Sequence, residues 1–194
     1  MIGAKNKSDF PGGSDMLYEA TSLLVVIDIQ GNLAQAMDER ELLFESVDKL
    51  IRGAKVFSLP IVVTEQIPEK LGPTIPEVAQ LLDGIDRIPK ETFSCCANAS
   101  FMEVLSRINR KQVLLTGIES HICVYQTAVD LLERGYEVHV VADAVSSRTA
   151  KNREIGINKM VNAGAYLASA EMVIFELLKT AASDKFRNIF KIVK

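Results

Sequence analysis

The chain has 194 residues, 48% hydrophobic and 24% charged, with a formal net charge of −3. That length buries one sizeable core and predicts a single domain over 1–194, while the mixed charges hold no basic block able to track a phosphate backbone, which argues against nucleic acid as a partner. The first twenty residues lack an apolar signal core, and no apolar run approaches the roughly 20 residues that cross a bilayer, so a soluble, cytoplasmic protein with no membrane partner is expected.

In chain order, residues 1–20 are the least specified, and PGGSD at 11–15 reads as a turn. A run of branched apolar residues, SLLVVIDI at 22–29, predicts a first strand buried on both faces. A helix is expected over 38–59, then a strand IVVTE at 61–65. Thr74 opens T-I-P-E, a capping pattern that predicts a helix through 82. A weaker strand lies at 86–88, and QVLLTG at 112–117 is the next strong one. A helix over 122–134 stops at Gly135, a residue free to take the left-handed conformation that ends helices. YEVHVVADA at 136–144 is a strand, a short one follows near 166–167, and helices are predicted over 151–162, 170–178 and 183–193. Strands alternating with amphipathic stretches imply an α/β fold, a parallel sheet covered by helices on both faces.

In open parallel sheets, ligands gather beyond the carboxyl ends of the strands. Asp28 closes the first strand there. Past Gly117, the segment Ile118, Glu119, Ser120, His121, Ile122 leads into Cys123 at the start of a helix. Unpaired N–H groups and the helix dipole at that position favour a thiolate, and the N–H groups of Ile122 and Cys123 are candidates for an oxyanion hole. Each residue also has an ordinary reading: Cys123 as a small buried apolar group, Asp28 as a turn or capping carboxylate, Lys90 as a solvated lysine. The three cysteines, Cys95, Cys96 and Cys123, have no metal-type spacing and are expected to be reduced.

The segment TGIESHICVYQTAVDLLERGYEVHVVADAVSSR at 116–148 resembles the nucleophile segment of the isochorismatase-like hydrolases. VVIDIQ at 25–30 resembles their first-strand motif, IPKETFSC at 88–95 their lysine loop, and NAGAYLASAEMVIFELL at 162–178 their closing segment. The resemblance implies a Rossmann-like, three-layer sheet of six strands in the order 3-2-1-4-5-6. It also implies a triad of Asp28 as general base, Lys90 as electrostatic partner and Cys123 as nucleophile, and a cis peptide between Ile118 and Glu119. By the same resemblance the activity is hydrolysis of a small amide, carbamoyl or related carbon–nitrogen substrate through a covalent thio-intermediate, by a homo-oligomer. A catalytically idle scaffold with the same fold is the alternative.

Members of that family that hydrolyse nicotinamide carry an aspartate and two histidines after the second strand. Here the stretch is TEQIPEKLGPTIPE at 64–77, without histidine, so neither a metal nor any other cofactor is expected. Gln66, or Glu65, is a candidate for substrate contact, and Phe93 for a pocket wall or ordinary core packing. His121 stands two residues from Cys123, a spacing that does not face it on a helix, which favours a structural or interface role. His139 reads as a core residue, and Cys95 and Cys96 as small packing groups beside the pocket. Glu119 and Ser120 are candidate helix caps. The apolar spacing of FRNIFKIVK at 186–194 suits packing on the chain's own core or on another subunit. No G-x-G-x-x-G follows the first strand, which counts against dinucleotide binding.

Overall fold

Alternating side chains of the first strand decide the layering. In the computed structural model, which describes residues 16–194, β1 (Ser22–Ile27) is buried along its whole length. Leu24 and Val26 point into one apolar core, Leu23, Val25 and Ile27 into the other, as the two-residue period of a strand requires. The turn expected at 11–15 lies outside the described residues.

The other strands are β2 (Ile61–Gln66), β3 (Arg87–Lys90), β4 (Gln112–Ile118), β5 (Glu137–Ser146) and β6 (Tyr166–Ala168). They form one sheet in the order β3-β2-β1-β4-β5-β6 with every pairing parallel, the α/β topology expected from the sequence. The helices are α1 (Gly31–Gln35), α2 (Arg40–Val56), α3 (Pro68–Leu71), α4 (Pro76–Ala79), α5 (Ala99–Ile108), α6 (Tyr125–Glu133), α7 (Ala150–Asn162), α8 (Ala170–Leu178) and α9 (Phe186–Val193). One face of the sheet is covered through Leu43, Val47 and Ile51 of α2, Val173 and Ile174 of α8, and Ile189 of α9. Phe101 and Leu105 of α5, Ala128 and Leu131 of α6 and Met160 of α7 cover the other. Thus α9 spends its apolar stripe on the chain's own core.

Three local expectations are corrected. Thr74 does not cap a helix: its N–H and Oγ1 both donate to Glu65 Oε1, at 2.8 and 2.7 Å. The carboxylate is the stronger acceptor, and the helix that follows is a single turn, α4. α5 was not anticipated, although Asn98 caps it by accepting from the Phe101 N–H at 3.0 Å, a standard start signal. The helix expected over 122–134 begins as α6 only at Tyr125, behind a π-helical turn, Ser120–Val124. Its end is as expected: Gly135 has φ +76°, and the Tyr136 N–H closes back on the Leu131 carbonyl at 3.0 Å.

β1 and β4 lie side by side at the point where strand order reverses, and Gly117 makes their contact possible. It has φ +123°, and a Cβ there would stand 2.1 Å from the Ile27 carbonyl oxygen, immediately before Asp28. Gly117→Ala is expected to destabilise the protein by roughly 3 kcal/mol from backbone strain and overlap with main chain that cannot swing aside. The urea midpoint measures this, and an unchanged midpoint refutes it.

Candidate active site

Beyond the carboxyl edge of the sheet, Asp28 is the first residue past β1, and it adopts φ +54°. Aspartate tolerates this left-handed conformation better than most residues, yet it is uncommon outside glycine and marks a backbone held by its surroundings. Thr64 of β2 holds it twice. Its carbonyl accepts from the Asp28 N–H at 3.2 Å, and its hydroxyl donates to Asp28 Oδ1 at 2.7 Å.

The other carboxylate oxygen faces a cation. Lys90, the last residue of β3, reaches past the end of β2 to bring Nζ within 2.6 Å of Asp28 Oδ2, with side-chain exposures of 0% and 2%. Burying an ammonium group is costly unless its protons find acceptors. Here Gln66 Oε1 accepts at 2.6 Å and the carbonyls of Thr92 and Phe93 at 3.1 and 3.3 Å. Gln66 is itself fixed, its Nε2 donating to the Glu91 carbonyl at 2.8 Å and its N–H to Gln30 Oε1 at 2.6 Å.

Cys123 arrives from β4. The Ile118–Glu119 peptide is cis, and the Glu119 carbonyl accepts from the N–H groups of Ile122 and Val124, at 3.0 and 3.2 Å. Neither Glu119 nor Ser120 caps α6 as expected. The nearly buried Glu119 side chain instead accepts from the Arg148 N–H and Nε, both at 3.1 Å. Ser120 and His121 both bond to the buried Ser147, Oγ to Oγ at 2.6 Å and Nδ1 to Oγ at 2.9 Å. From α7, Gly156 presses on the turn so closely that a Cβ would stand 2.6 Å from the Ser120 carbonyl oxygen. The result is a nearly buried Cys123 whose thiol lies within electrostatic reach of both Asp28 and Lys90.

Asp28, Lys90 and Cys123 are therefore brought together. The electrostatic expectation for the sulfur is corrected: burial, then the Asp28 carboxylate, push the Cys123 thiol up to about 12, with Lys90 opposing. The turn that carries it is π-helical and runs directly into α6. Of the two expected oxyanion donors, the Ile122 N–H is spent on Glu119.

The remaining candidates divide. Gln66 is buried and uses its side chain on Lys90 and Glu91 rather than on open space. Phe93 is 55% exposed, so its ring is not in the core. His139 is buried and its ring lies 4.9 Å from that of Tyr166. Cys96 packs in the α5–α6 core, whereas Cys95 stands beside Asp28 and Lys90, its Sγ 3.8 Å from Thr64 Oγ1. Thr64 was missed in the sequence. The signal was there, as the polar residue that ends the apolar run of β2 level with the end of β1. A cleft of about 430 Å³ opens beside edge strand β3, lined by Ile67, Glu69, Lys90, Glu91, Thr92 and Asn98. Among the described residues, no group of three His, Cys, Asp or Glu is placed to hold a metal, and Glu65, in the stretch that bears metal ligands in nicotinamide-hydrolysing proteins, is committed to Thr74. No described helix is long and apolar enough to cross a membrane.

Two predictions follow from the thiols. Burial raises Cys95 to about 11 and Cys96 to about 12, against an ordinary value near 9. A raised folded-state value means their contribution to stability is complete below about 9 and is lost as pH climbs toward 12. Tm should fall over that window, and Cys96→Ala should flatten the fall. Asp28→Asn should bring the Cys123 titration down from about 12 while leaving it above 9, because desolvation persists. Thiolate ultraviolet absorbance reads this, and an upward move contradicts the arrangement.

The isochorismatase domain model matches residues 22–172. A secreted isochorismatase effector, Isc1 of Phytophthora sojae, is 35% identical over 92% of this chain and 87% of its own. The structure of a protein described as MAR1 ribonuclease from Caenorhabditis elegans superposes with a TM-score of 0.87 at 36% identity, covering 92% of each chain. The Escherichia coli YcaC gene product, described as an octameric hydrolase of unknown specificity, also gives a TM-score of 0.87, at 24% identity over 93% of this chain and 92% of its own; at that identity the likeness concerns the fold.

Proposed function

The chain belongs to the isochorismatase domain family, and from that membership we propose that it is a cysteine hydrolase in which Cys123 is the nucleophile, Asp28 the general base and acid, and Lys90 their electrostatic partner. One observation carries the reading: a buried carboxylate sits 2.6 Å from a buried ammonium group, and the nearly buried Cys123 thiol feels both charges. A core has no structural need for three such groups in contact, and their desolvation makes them costly. Each has a distinct use in acyl transfer.

The substrate class is a small amide, carbamoyl or related carbon–nitrogen compound. Asp28 takes the thiol proton as the sulfur bonds to the carbonyl carbon, and the developing oxyanion is met by the Cys123 N–H. The carbon–nitrogen bond breaks as protonated Asp28 returns that proton to the leaving nitrogen. Water then gives a proton to Asp28 and attacks the thioester carbon. Cleavage of the carbon–sulfur bond releases the acid, and the proton returns to Cys123. Because the resting thiol is held protonated, base and nucleophile act in one concerted event rather than through a standing thiolate. Lys90, 2.6 Å from Asp28 Oδ2, offsets the two anions that alternate beside it.

The burial of Cys123, only 7% exposed, supports a small, non-polymeric substrate, and the ribonuclease description of the nematode protein is not extended to this chain. For its setting, the proposal is a cytoplasmic homo-oligomer, in keeping with three free cysteines and the octamer described for YcaC.

A panel of small amides, ureas and imides should yield at least one substrate. For that compound Cys123→Ala and Asp28→Asn should each lower kcat by 10³-fold or more, roughly the scale for losing a nucleophile or its base. Far-ultraviolet circular dichroism should be unchanged. Turnover that survives in Cys123→Ala removes the proposal, and a panel without any hit favours the idle-scaffold alternative.

A further inference from the structure

Asp28 has two oxygens, and the surroundings treat them differently. Oδ1 receives the Thr64 hydroxyl at 2.7 Å, whereas Oδ2 faces Lys90 at 2.6 Å and has no hydrogen-bond partner among the described residues. The ionised carboxylate can only accept, but once Asp28 holds a proton the direction of the Thr64 bond is open, because a hydroxyl can donate one proton and accept others. Cys95 fixes it. Its Sγ lies 3.8 Å from Thr64 Oγ1, and a thiol beside a hydroxyl oxygen in a dry core is stabilised as the donor. Thr64 Oγ1, accepting from Cys95, keeps its own proton for Asp28 Oδ1. Thr64 and Cys95 are fully buried, so no solvent offers a substitute partner. The Cys95 N–H is tied in turn to Thr127 Oγ1 on α6 at 3.0 Å, which sets the sulfur in place.

We propose that Thr64 and Cys95 are positioning residues of the hydrolase: a Cys95–Thr64–Asp28 relay occupies Oδ1 and reserves Oδ2 as the oxygen that takes the Cys123 proton. This rests on the reading of Asp28 as base. It gives Cys95 a role that small-residue packing does not, and it explains why a second cysteine stands against a carboxylate whose charge disfavours its ionisation. The titratable groups facing Asp28 are Lys90 from β3, Cys95 from the loop after β3 and Cys123 from the turn after β4. Cys95 is the one of these held to Asp28 through an intervening hydroxyl.

The relay is testable without a known substrate. Iodoacetamide alkylation of the folded full-length protein, followed by peptide mapping, gives the rate at Cys123 relative to Cys96, which has no contact with Asp28 and serves as an internal reference. Thr64→Val should lower the Cys123-to-Cys96 ratio at neutral pH by roughly tenfold, the scale of one hydrogen bond to a charged group, and move the pH midpoint of the Cys123 reaction. Thr64→Ser should restore both. Cys95→Ala, read as the absolute Cys123 rate because Cys95 also raises its neighbour Cys96, should lower that rate by a smaller factor, about threefold for a weaker thiol donor, and Cys95→Ser should recover it. Should Thr64→Val fail to fold, the Cys95 pair carries the test, since it removes or replaces a single sulfur. A purely structural role lowers Tm in these variants but leaves the ratio, or for the Cys95 pair the Cys123 rate, and the midpoint at wild-type values, and that result overturns the relay. Asp28→Asn, run in parallel, separates the two claims. If it shifts the ratio and the Thr64 and Cys95 variants leave their Cys123 readouts unchanged, only the relay fails; if it leaves the ratio unchanged, the assignment of Asp28 as base fails and the relay with it.

Discussion

The contact between Lys90 and Asp28 governs the architecture of the site. An ammonium group and a carboxylate withdrawn from water lose several kcal/mol of hydration each, and their attraction compensates only if the remaining protons and lone pairs are met. The chain meets them with parts from four places. Thr64 of β2 serves one carboxylate oxygen, Gln66 at the end of the same strand serves the ammonium group, two carbonyls of the loop after β3 complete its shell, and the Cys123 thiol stands within electrostatic reach. Much of the irregular backbone at this edge, including the left-handed Asp28, is a condition for that one contact. The strand order supplies the rest, since β1 and β4 are neighbours and a lysine on β3 must span only the end of β2.

The fold was legible because it depends on periodicity. Runs such as LLVVI in β1 and VLL in β4, alternating with amphipathic stretches long enough for crossover helices, point to strands of a parallel sheet with helices on each side. Asp28 and Cys123 were legible by the same logic, standing where apolar runs end. Lys90 was visible through family resemblance alone, since nothing in IPKE distinguishes a buried lysine from a solvated one. Thr64, Gln66 and Cys95 were obscure for a related reason. Their roles are pairwise and link residues 24 to 36 positions apart, and a sequence read one segment at a time does not contain pairs. α5 was overlooked although Asn98 announced it, while Thr74 announced a helix it does not cap, because a carboxylate nine residues earlier competes for its hydroxyl.

The acidity of Cys123 shows a similar competition between local and tertiary effects. Position in the chain suggested a thiolate at a helix terminus. Burial and the adjacent carboxylate instead keep the proton on sulfur, to about 12. A site of this kind stores no reactive anion at rest. Electrophiles and oxidants attack the thiolate form, so a cysteine held as the thiol is spared from them.

The strap between β2 and α4 carries a lesson for protein engineering. Gln30 donates to the Gly72 carbonyl at 2.6 Å, Gly31 lies where any side chain would collide with the Leu71 carbonyl oxygen, and Glu65 grips both the main chain and the hydroxyl of Thr74. Transplanting histidines onto residues 67–71 to recruit a divalent ion would leave that carboxylate pointing the wrong way, occupied by two donors that have nowhere else to go. A workable graft has to begin at Thr74, freeing the strap before decorating it.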